Sequence, residues 1–243
     1  MVDSLVRNGD VVVDAGADWG VYSARLADLV GPTGRVHAFE PNPVSRDRLE
    51  TVVGPDSHVR VHPFALSDRD GAATLHVPRD GGEAVGALGS LSARADDVPY
   101  DTVEVATVTL DAALGDDADR VSFVKIDVEG HELPLLHGAQ RTLATARPAL
   151  LVEIEHRHSG RQMTDTFEHL AGLGYVASAI GPGGLVPLHG FDLERDQLAY
   201  LDGGFQAEMP REYVHDFLFV PAGQSTPSSL SASAIATRAA SQE

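Results

Sequence analysis

The chain has 243 residues, which suits a single α/β domain, and it contains no cysteine, which excludes a disulfide framework, a thiolate nucleophile and a cysteine-ligated zinc site. Its formal net charge of −18 argues against nucleic acid and an anionic membrane as partners, because so acidic a chain repels phosphate groups. No apolar run approaches the length of a membrane span and the first ten residues lack the order of a secretion signal, so we expect a cytoplasmic protein.

The first part of the chain alternates between strand-like and helix-like patterns. The β-branched run "DVVVDAG" predicts a buried strand of a parallel sheet, and apolar residues at helical spacing from Tyr22 to Val30 predict a helix that "GPTG" ends. Two further strands are predicted at 35–40 and 59–66, with a helix at 43–53 between them. Three strands joined by helical crossovers indicate an open, doubly wound sheet.

The middle of the chain is less regular. Residues 72–78 and 103–110 alternate like half-exposed strands, whereas 79–100 is too rich in glycine and aspartate to pack as a core element. We interpret 79–100 as a lid over the acceptor, because its glycines would permit that movement, and an idle surface loop is the alternative.

The alternation of strands and helices resumes after residue 120. Its patterns predict strands at 121–127, 149–155 and 213–221 and helices at 132–146 and 164–173. Residues 222–243 are small and polar, and we expect them to form a disordered tail. Residues 1–221 are therefore predicted to form one domain.

The bend after the first strand, "VVVDAGADWG", has the outline of a nucleotide-binding loop. A dinucleotide loop, G-x-G-x-x-G, lets the backbone approach a pyrophosphate, but here Asp18 replaces the second glycine and would repel it. The order Asp14-x-Gly16-x-Asp18-x-Gly20 resembles instead the first motif of class I S-adenosylmethionine (SAM) methyltransferases. SAM carries a sulfonium and an ammonium group, which acids complement, and Glu40 at the second strand end is placed to accept the ribose hydroxyls. A plain strand–helix turn is the alternative.

Further segments in chain order resemble one family. They are "GRVHAFEPNP", "FALSDRDG", "GSLS" with "VTLDAAL", and "SFVKIDVEGHELPLLHGA" with "PALLVEIE". With the first loop they resemble the FkbM family of SAM-dependent methyltransferases over about residues 9–221. The resemblance implies a Rossmann-like class I methyltransferase fold, an α/β fold whose seven-strand doubly wound sheet has its last strand antiparallel. It also implies O-methylation of a hydroxyl on a small molecule such as a sugar or natural product.

The resemblance further implies which residues bind SAM. The first loop would line the methionine end, the second strand end the ribose, and the third strand end the adenine. These residues are Asp14, Gly16, Ala17, Asp18 and Gly20; Glu40, Pro41 and Asn42; and Ala65, Leu66 and Ser67. Family members usually have asparagine at the position of Asp18 and a longer segment before the first motif.

A second group of acidic residues follows the fourth and fifth predicted strands. Because parallel strands open into one crevice at their carboxyl ends, these residues should face the cofactor loop. We predict that they line the methyl-transfer site, where a carboxylate or imidazole within reach helps an attacking hydroxyl to lose its proton. The predicted catalytic residues are Asp127, Glu129, His131 and Glu153. A favourable charge in the first helical turn and a surface position are the plain alternatives for Glu129 and His131.

Two other interpretations of the same residues stay open. An NAD(P)-dependent oxidoreductase or epimerase is disfavoured by the missing glycine and by the lack of a Tyr-x-x-x-Lys pair, since Lys125 is the single lysine. A non-catalytic SAM-binding module would not need acids on the acceptor side. His156 and His158, with Glu153 or Asp127, could bind a divalent metal, but their spacing matches no dedicated metal motif, so solvated histidines beside a strand end are the preferred interpretation. The acceptor and the oligomeric state are not readable from these patterns.

Overall fold

The computed structural model describes residues 2–55, 58–80, 83–84, 89–91, 99–201 and 209–224. The strands in these residues are β1 (Val11–Ala15), β2 (Arg35–Phe39), β3 (Val59–His62), β4 (Ala65–Leu66), β5 (Gly71–Asp80), β6 (Glu83–Ala84), β7 (Tyr100–Val108), β8 (Val121–Ile126), β9 (Ala149–Glu153), β10 (Tyr175–Gly181), β11 (Gly184–Pro187) and β12 (Asp216–Pro221). The helices are α1 (Val2–Leu5), α2 (Val21–Val30), α3 (Pro43–Val53), α4 (Leu110–Leu114), α5 (Glu132–His137), α6 (Gln140–Thr145), α7 (His156–Ser159), α8 (Gln162–Gly172) and α9 (Leu193–Asp196).

The central sheet confirms the predicted α/β class. Its strand order is β11-β10-β12-β9-β8-β1-β2-β3, and the strands from β9 to β3 run parallel. The last strand, β12, is antiparallel to both of its neighbours, as expected. The sheet has eight strands in the described residues rather than seven, because the chain turns back between Gly181 and Gly184 and adds β11 to the edge.

The core explains why β1 is apolar at nearly every position. Val11 and Val13 pack into a cluster on one face of the sheet, whereas Val12 belongs to the cluster on the other face. Helices cover both faces, so neither set of side chains meets water. Asp14, at the end of this run, is fully buried.

A second, smaller sheet occupies the middle of the chain. The predicted half-exposed strands are confirmed as β5 and β7, which pair antiparallel, and β4 adds to β7 in parallel. The single strand predicted at 59–66 is wrong, because the chain breaks at Pro63, which has no amide hydrogen to donate. β3 stays in the central sheet, while Ala65 pairs with Thr107 of β7.

The helix predicted at 132–146 is also wrong in one respect, since it is divided into α5 and α6. At the break, a Cβ atom on Gly138 would lie 2.0 Å from the carbonyl oxygen of Ser67. The backbone at Gly138 therefore passes directly over the end of β4, and it comes so close that a residue with a side chain would not fit at this position.

Two predicted segments lie partly outside the described residues. Of the predicted lid, 79–100, the structure describes the strand residues at both ends, β6 and residues 89–91. Of the predicted tail, 222–243, it describes residues 222–224 alone. No described helix is both long and apolar enough to cross a bilayer.

Candidate active site

The first loop is held tightly against two strand ends. Gly16 has φ +76°, and a Cβ atom there would lie 1.8 Å from the carbonyl oxygen of Asp127. The amides of Gly16 and Ala17 both donate to the carbonyl of Phe39 at 3.0 Å. The structure thus brings the loop after β1, the end of β2 and the turn after β8 into direct contact.

The second half of the loop is held by α3. Gly20 has φ +86°, and a Cβ atom on it would lie 2.7 Å from Cδ1 of Leu49. Asp18 also has a positive φ, +43°, and its carboxylate accepts a hydrogen bond from the Ser45 hydroxyl at 2.8 Å. The helix packs against the loop here, so the glycine is required at this close approach.

Glu40 organises the end of β2. It is buried, and its two oxygens accept the amides of Asp18 at 2.8 Å and Asn42 at 2.7 Å. Asn42 in turn caps α3, because its side-chain oxygen accepts the amide of Val44 at 3.1 Å. A carboxylate offers about four acceptor positions, so Glu40 keeps capacity for the two hydroxyls of a ribose. Pro41, the other predicted ribose-pocket residue, is half-buried between Glu40 and Asn42.

The loop concentrates buried negative charge. Burial raises the pKa of Asp14, Asp18 and Glu40, in the case of Glu40 to about 7. One oxygen of Asp14 accepts the Ser23 hydroxyl at 2.7 Å, while the other has no hydrogen-bond partner among the described residues. A cationic ligand would stabilise the ionised form of these acids.

Lys125 is the buried cation beside this loop. Its ammonium group lies 3.0 Å from Asp127, 3.9 Å from Asp14 and 4.6 Å from the centre of the Tyr22 ring. Burial opposes its charge, but the attraction of Asp127 and Asp14 outweighs burial and raises the pKa of Lys125. This ion pair ties β8 to the end of β1.

The predicted adenine pocket meets one predicted catalytic residue. Ala65, Leu66 and Ser67 are all buried at the end of β4. The hydroxyl of Ser67 lies 3.0 Å from Nε2 of His131, and burial lowers the pKa of this imidazole. His131 is therefore a neutral side chain in contact with the β4 end.

Two of the other predicted catalytic residues, Glu153 and Glu129, meet histidines that sequence reasoning did not assign to the site. Oε1 of Glu153 lies 3.0 Å from Nδ1 of His215, and Glu129 lies 2.8 Å from Nε2 of His158. His215 was missed because it is distant in sequence. The pairing of β12 with β9 brings it to Glu153, since Asp216 is the register partner of Glu153.

Glu155 lies between these two pairs. It is buried and binds Arg157 with both oxygens, at 2.5 and 2.9 Å. Burial opposes its charge, but the hydrogen bonds and charge of Arg157 outweigh burial and lower the pKa of Glu155. Its Oε1 also lies 3.8 Å from His158 and 4.0 Å from His215. His156 is not part of this group; its amide donates to Gln197 at 2.7 Å.

Glu132 is a buried acid with a local role. Its oxygens accept the amide of Gly130 at 2.7 Å and the hydroxyl of Ser159 at 3.0 Å, which fixes the turn into α5. Burial raises its pKa to about 7. The turn also receives the hydroxyl of Ser90, which donates to the carbonyl of Glu129 at 2.5 Å.

The fold and the site together define a class. The chain has the Rossmann-like fold of class I SAM-dependent methyltransferases, a parallel sheet with an antiparallel last strand. The site has the matching features: a glycine turn after β1, an acid at the end of β2, and acids at or directly after the ends of β8 and β9. Residues 10–177 match the family model described as the methyltransferase FkbM domain. The chain belongs to this family, and the predicted resemblance is confirmed.

Comparisons with individual proteins agree with this assignment. The chain is 26% identical over 157 residues to the 2-O-methyltransferase NoeI of Sinorhizobium fredii, a match that spans 60% of the chain and 64% of that relative. A crystal structure of the methyltransferase FkbM from Methylobacillus flagellatus aligns with a TM-score of 0.53 at 18% identity, over 89% of this chain and 45% of the other. Aeropyrum pernix fibrillarin, crystallised with natively bound SAM, aligns with a TM-score of 0.50 at 13% identity, over 89% and 68%.

Proposed function

We propose that the protein transfers the methyl group of SAM to a hydroxyl group of a small molecule, such as a sugar or a natural product. The observation that carries the proposal is the contact between the acidic loop after β1 and the turn after β8. Gly16 meets the backbone of Asp127 there, so a cofactor on the loop and an acceptor on the turn would be neighbours. The family implies the cofactor, and the named 2-O-methyltransferase relative supports oxygen as the methyl acceptor.

The residues after β1 and β2 suit SAM in charge and in shape. Glu40 would accept the ribose hydroxyls, and the carboxylates of Asp14 and Asp18 would complement the positive charge of the methionine end. Gly16 provides the close backbone approach that a side chain would block. When bound, SAM supplies an activated methyl group on a sulfonium centre.

The acceptor would lie against the turn after β8. Asp127 keeps about a fifth of its side chain exposed, and Lys125 holds one of its oxygens at 3.0 Å. This carboxylate would accept a hydrogen bond from the acceptor hydroxyl and orient it toward the cofactor loop. Asp127 would also receive the proton of this hydroxyl as the new carbon–oxygen bond forms and the carbon–sulfur bond of SAM breaks, while Glu153, whose charge interacts with that of Asp127, would help to position the acceptor.

The choice of a small, uncharged or weakly charged acceptor rests on electrostatics. With a net charge of −18, the chain repels polyanions, and the acids after β8 and β9 add to this repulsion at the site. A hydroxylated molecule without phosphate groups avoids that cost.

The cofactor half of the proposal is tested by calorimetric titration with SAM, S-adenosylhomocysteine and NAD. We expect SAM and S-adenosylhomocysteine to bind in the micromolar range and NAD not to bind. Glu40→Gln should weaken SAM binding at least tenfold, since it removes the charge that the ribose hydroxyls would meet. Glu50→Gln, on the exposed face of α3, is the matched control and should bind normally. Binding of NAD instead of SAM would contradict the proposal.

The acceptor half needs a second measurement. Release of S-adenosylhomocysteine is followed against a panel of free sugars, glycosylated natural products and a structured RNA. We expect turnover with a hydroxylated small molecule, and loss of most of that turnover in Asp127→Asn at unchanged SAM affinity. Methylation of the RNA alone would show that the acceptor class is wrong.

A further inference from the structure

We propose that Glu153, Glu155 and His215 bind a divalent metal ion at the carboxyl end of β9, where β12 enters the sheet. Their three ligand atoms, two carboxylate oxygens and an imidazole nitrogen, all lie within 4.8 Å of one another. Glu153 ends β9, Glu155 follows it and His215 directly precedes β12, so paired strands of the central sheet position the group.

The distances between these atoms suit an ion. Metal–ligand bonds of about 2.1 Å place adjacent ligands about 3.0 Å apart and opposite ligands about 4.2 Å apart. Nδ1 of His215 lies 3.0 Å from Oε1 of Glu153 and 4.0 Å from Oε1 of Glu155. An ion would take the place of the proton now shared between Glu153 and His215.

A buried tyrosine borders the same group. Tyr213 is 4% exposed, and its ring centre lies 5.8 Å from that of His215. Its hydroxyl contacts the carboxylate of Glu155. Tyr213 thus lies against two of the three proposed ligands.

The charge around the group also favours a cation. Asp127, Glu129 and Asp216 add their charges to those of the two carboxylate ligands, and among the described residues Lys125 and Arg157 are permanent cations in contact with this set. Arg157 binds both oxygens of Glu155 and so fixes this carboxylate in one orientation, as outer-shell partners of metal ligands do.

The neighbouring group of Glu129, Glu155 and His158 is the weaker candidate. It has similar spacing, but its side chains are nearly closed to solvent, with Glu129 7% and His158 5% exposed. In the proposed site, Glu153 is 14% and His215 28% exposed, so solvent reaches two of the three ligands.

The ligand set indicates which ions would bind. Carboxylate oxygens combined with an imidazole nitrogen suit Mn²⁺, Fe²⁺ and Zn²⁺ better than Mg²⁺ or Ca²⁺, which prefer oxygen alone. The metal site itself does not depend on methyl transfer. Its role does rest on the proposed function: an ion beside Asp127 would bind an acceptor hydroxyl and lower its pKa.

The test is binding of Mn²⁺ to the full chain after treatment with a chelator. Free Mn²⁺ is measured by its paramagnetic resonance signal during a titration near pH 7.5, and calorimetry gives the stoichiometry. We expect one ion per chain with micromolar affinity. His215→Asn and Glu153→Gln should each weaken binding at least tenfold, whereas His189→Asn and Glu194→Gln, at exposed positions, should not.

One further variant makes the outcome decisive. Glu129→Gln should leave Mn²⁺ affinity within twofold, and loss of binding there with retention in Glu153→Gln would overturn the assignment. The absence of stoichiometric binding to the folded wild-type chain would also overturn it. SAM titration of every variant checks folding and is scored separately, so a failed metal site and a failed methyltransferase assignment give different results.

Discussion

The residue that most constrains the cofactor loop is Gly16. Its φ of +76° lies in the left-handed region, and a Cβ atom would overlap the carbonyl oxygen of Asp127. We expect Gly16→Ala to lower the free energy of unfolding by at least about 2 kcal/mol and to weaken SAM binding more than tenfold, because the loop must move away from β8. Denaturant unfolding and calorimetry measure the two effects.

Gly54→Ala is the matched control for this change. Gly54 has a similar φ, +67°, but no atom lies within 4 Å of a Cβ built there. This variant carries the conformational cost alone, about 1 kcal/mol, and should bind SAM normally. If Gly16→Ala were no worse than Gly54→Ala, the contact with Asp127 would not matter to the site.

Asp18 shows why a departure from the family pattern is tolerated. Asparagine and aspartate both enter the left-handed region more readily than other residues with side chains, and Asp18 has φ +43°. Its carboxylate binds Ser45 and its amide binds Glu40. The position therefore requires a short polar side chain that accepts a hydrogen bond, a condition that the sequence pattern alone does not reveal.

Helices and strands that are determined by local interactions are predicted correctly from the local sequence pattern. The helix at 43–53 and the strand at β1 follow from periodicity, capping and burial on both faces, and both are confirmed. The break at Gly138 and the meeting of Glu153 with His215 depend on backbone and strand contacts between distant segments. Such contacts leave no periodic signal, so the sequence indicated the candidate acids but not the histidines that they contact.

Ser90, a described residue in the segment between β5 and β7, contacts the turn after β8. Its backbone pairs with His76 of β5, at 2.8 and 3.0 Å, and its hydroxyl donates to the carbonyl of Glu129. We expect Ser90→Ala to lower the free energy of unfolding by about 1–2 kcal/mol, since a buried carbonyl loses this donor. If the segment covers the acceptor, the KM for the acceptor should rise while SAM affinity stays the same.

Ser122→Ala provides the comparison for this prediction. Ser122 donates a longer bond, 3.4 Å, to the carbonyl of Val11 at the opposite end of the sheet. Ser122→Ala should change neither the KM for the acceptor nor the affinity for SAM. Equal effects of the two variants on the acceptor KM would show that Ser90 acts only on overall stability.

For the whole molecule, buried acids make stability depend on pH in an unusual direction. Burial raises the pKa of Glu132 from 4.5 in the unfolded chain to about 7 in the folded one. Between these values the folded state binds more protons, so the stabilising contribution is present below pH 4.5 and is lost as pH rises toward 7. Glu132→Gln should therefore gain stability relative to wild type across this window, by on the order of 2 kcal/mol.

His62 predicts the opposite dependence of stability on pH, in nearly the same pH range. Burial, followed by the charges of His37 and Arg60, lowers its pKa from 6.5 to about 4, so between these values the unfolded state binds more protons and wild-type stability rises with pH. His62→Asn should therefore lose stability relative to wild type as pH increases from 4 to 6.5, although it also loses the stacking of this ring on Phe39 at every pH. Denaturant unfolding of both variants at several pH values separates the constant cost from the slope. If the stability difference from wild type changed with pH in the same direction for both variants, one of these two groups would not be buried as the structure places it. Opposite directions would show that buried neutral groups, and not the net charge of this highly acidic protein alone, set its pH of greatest stability.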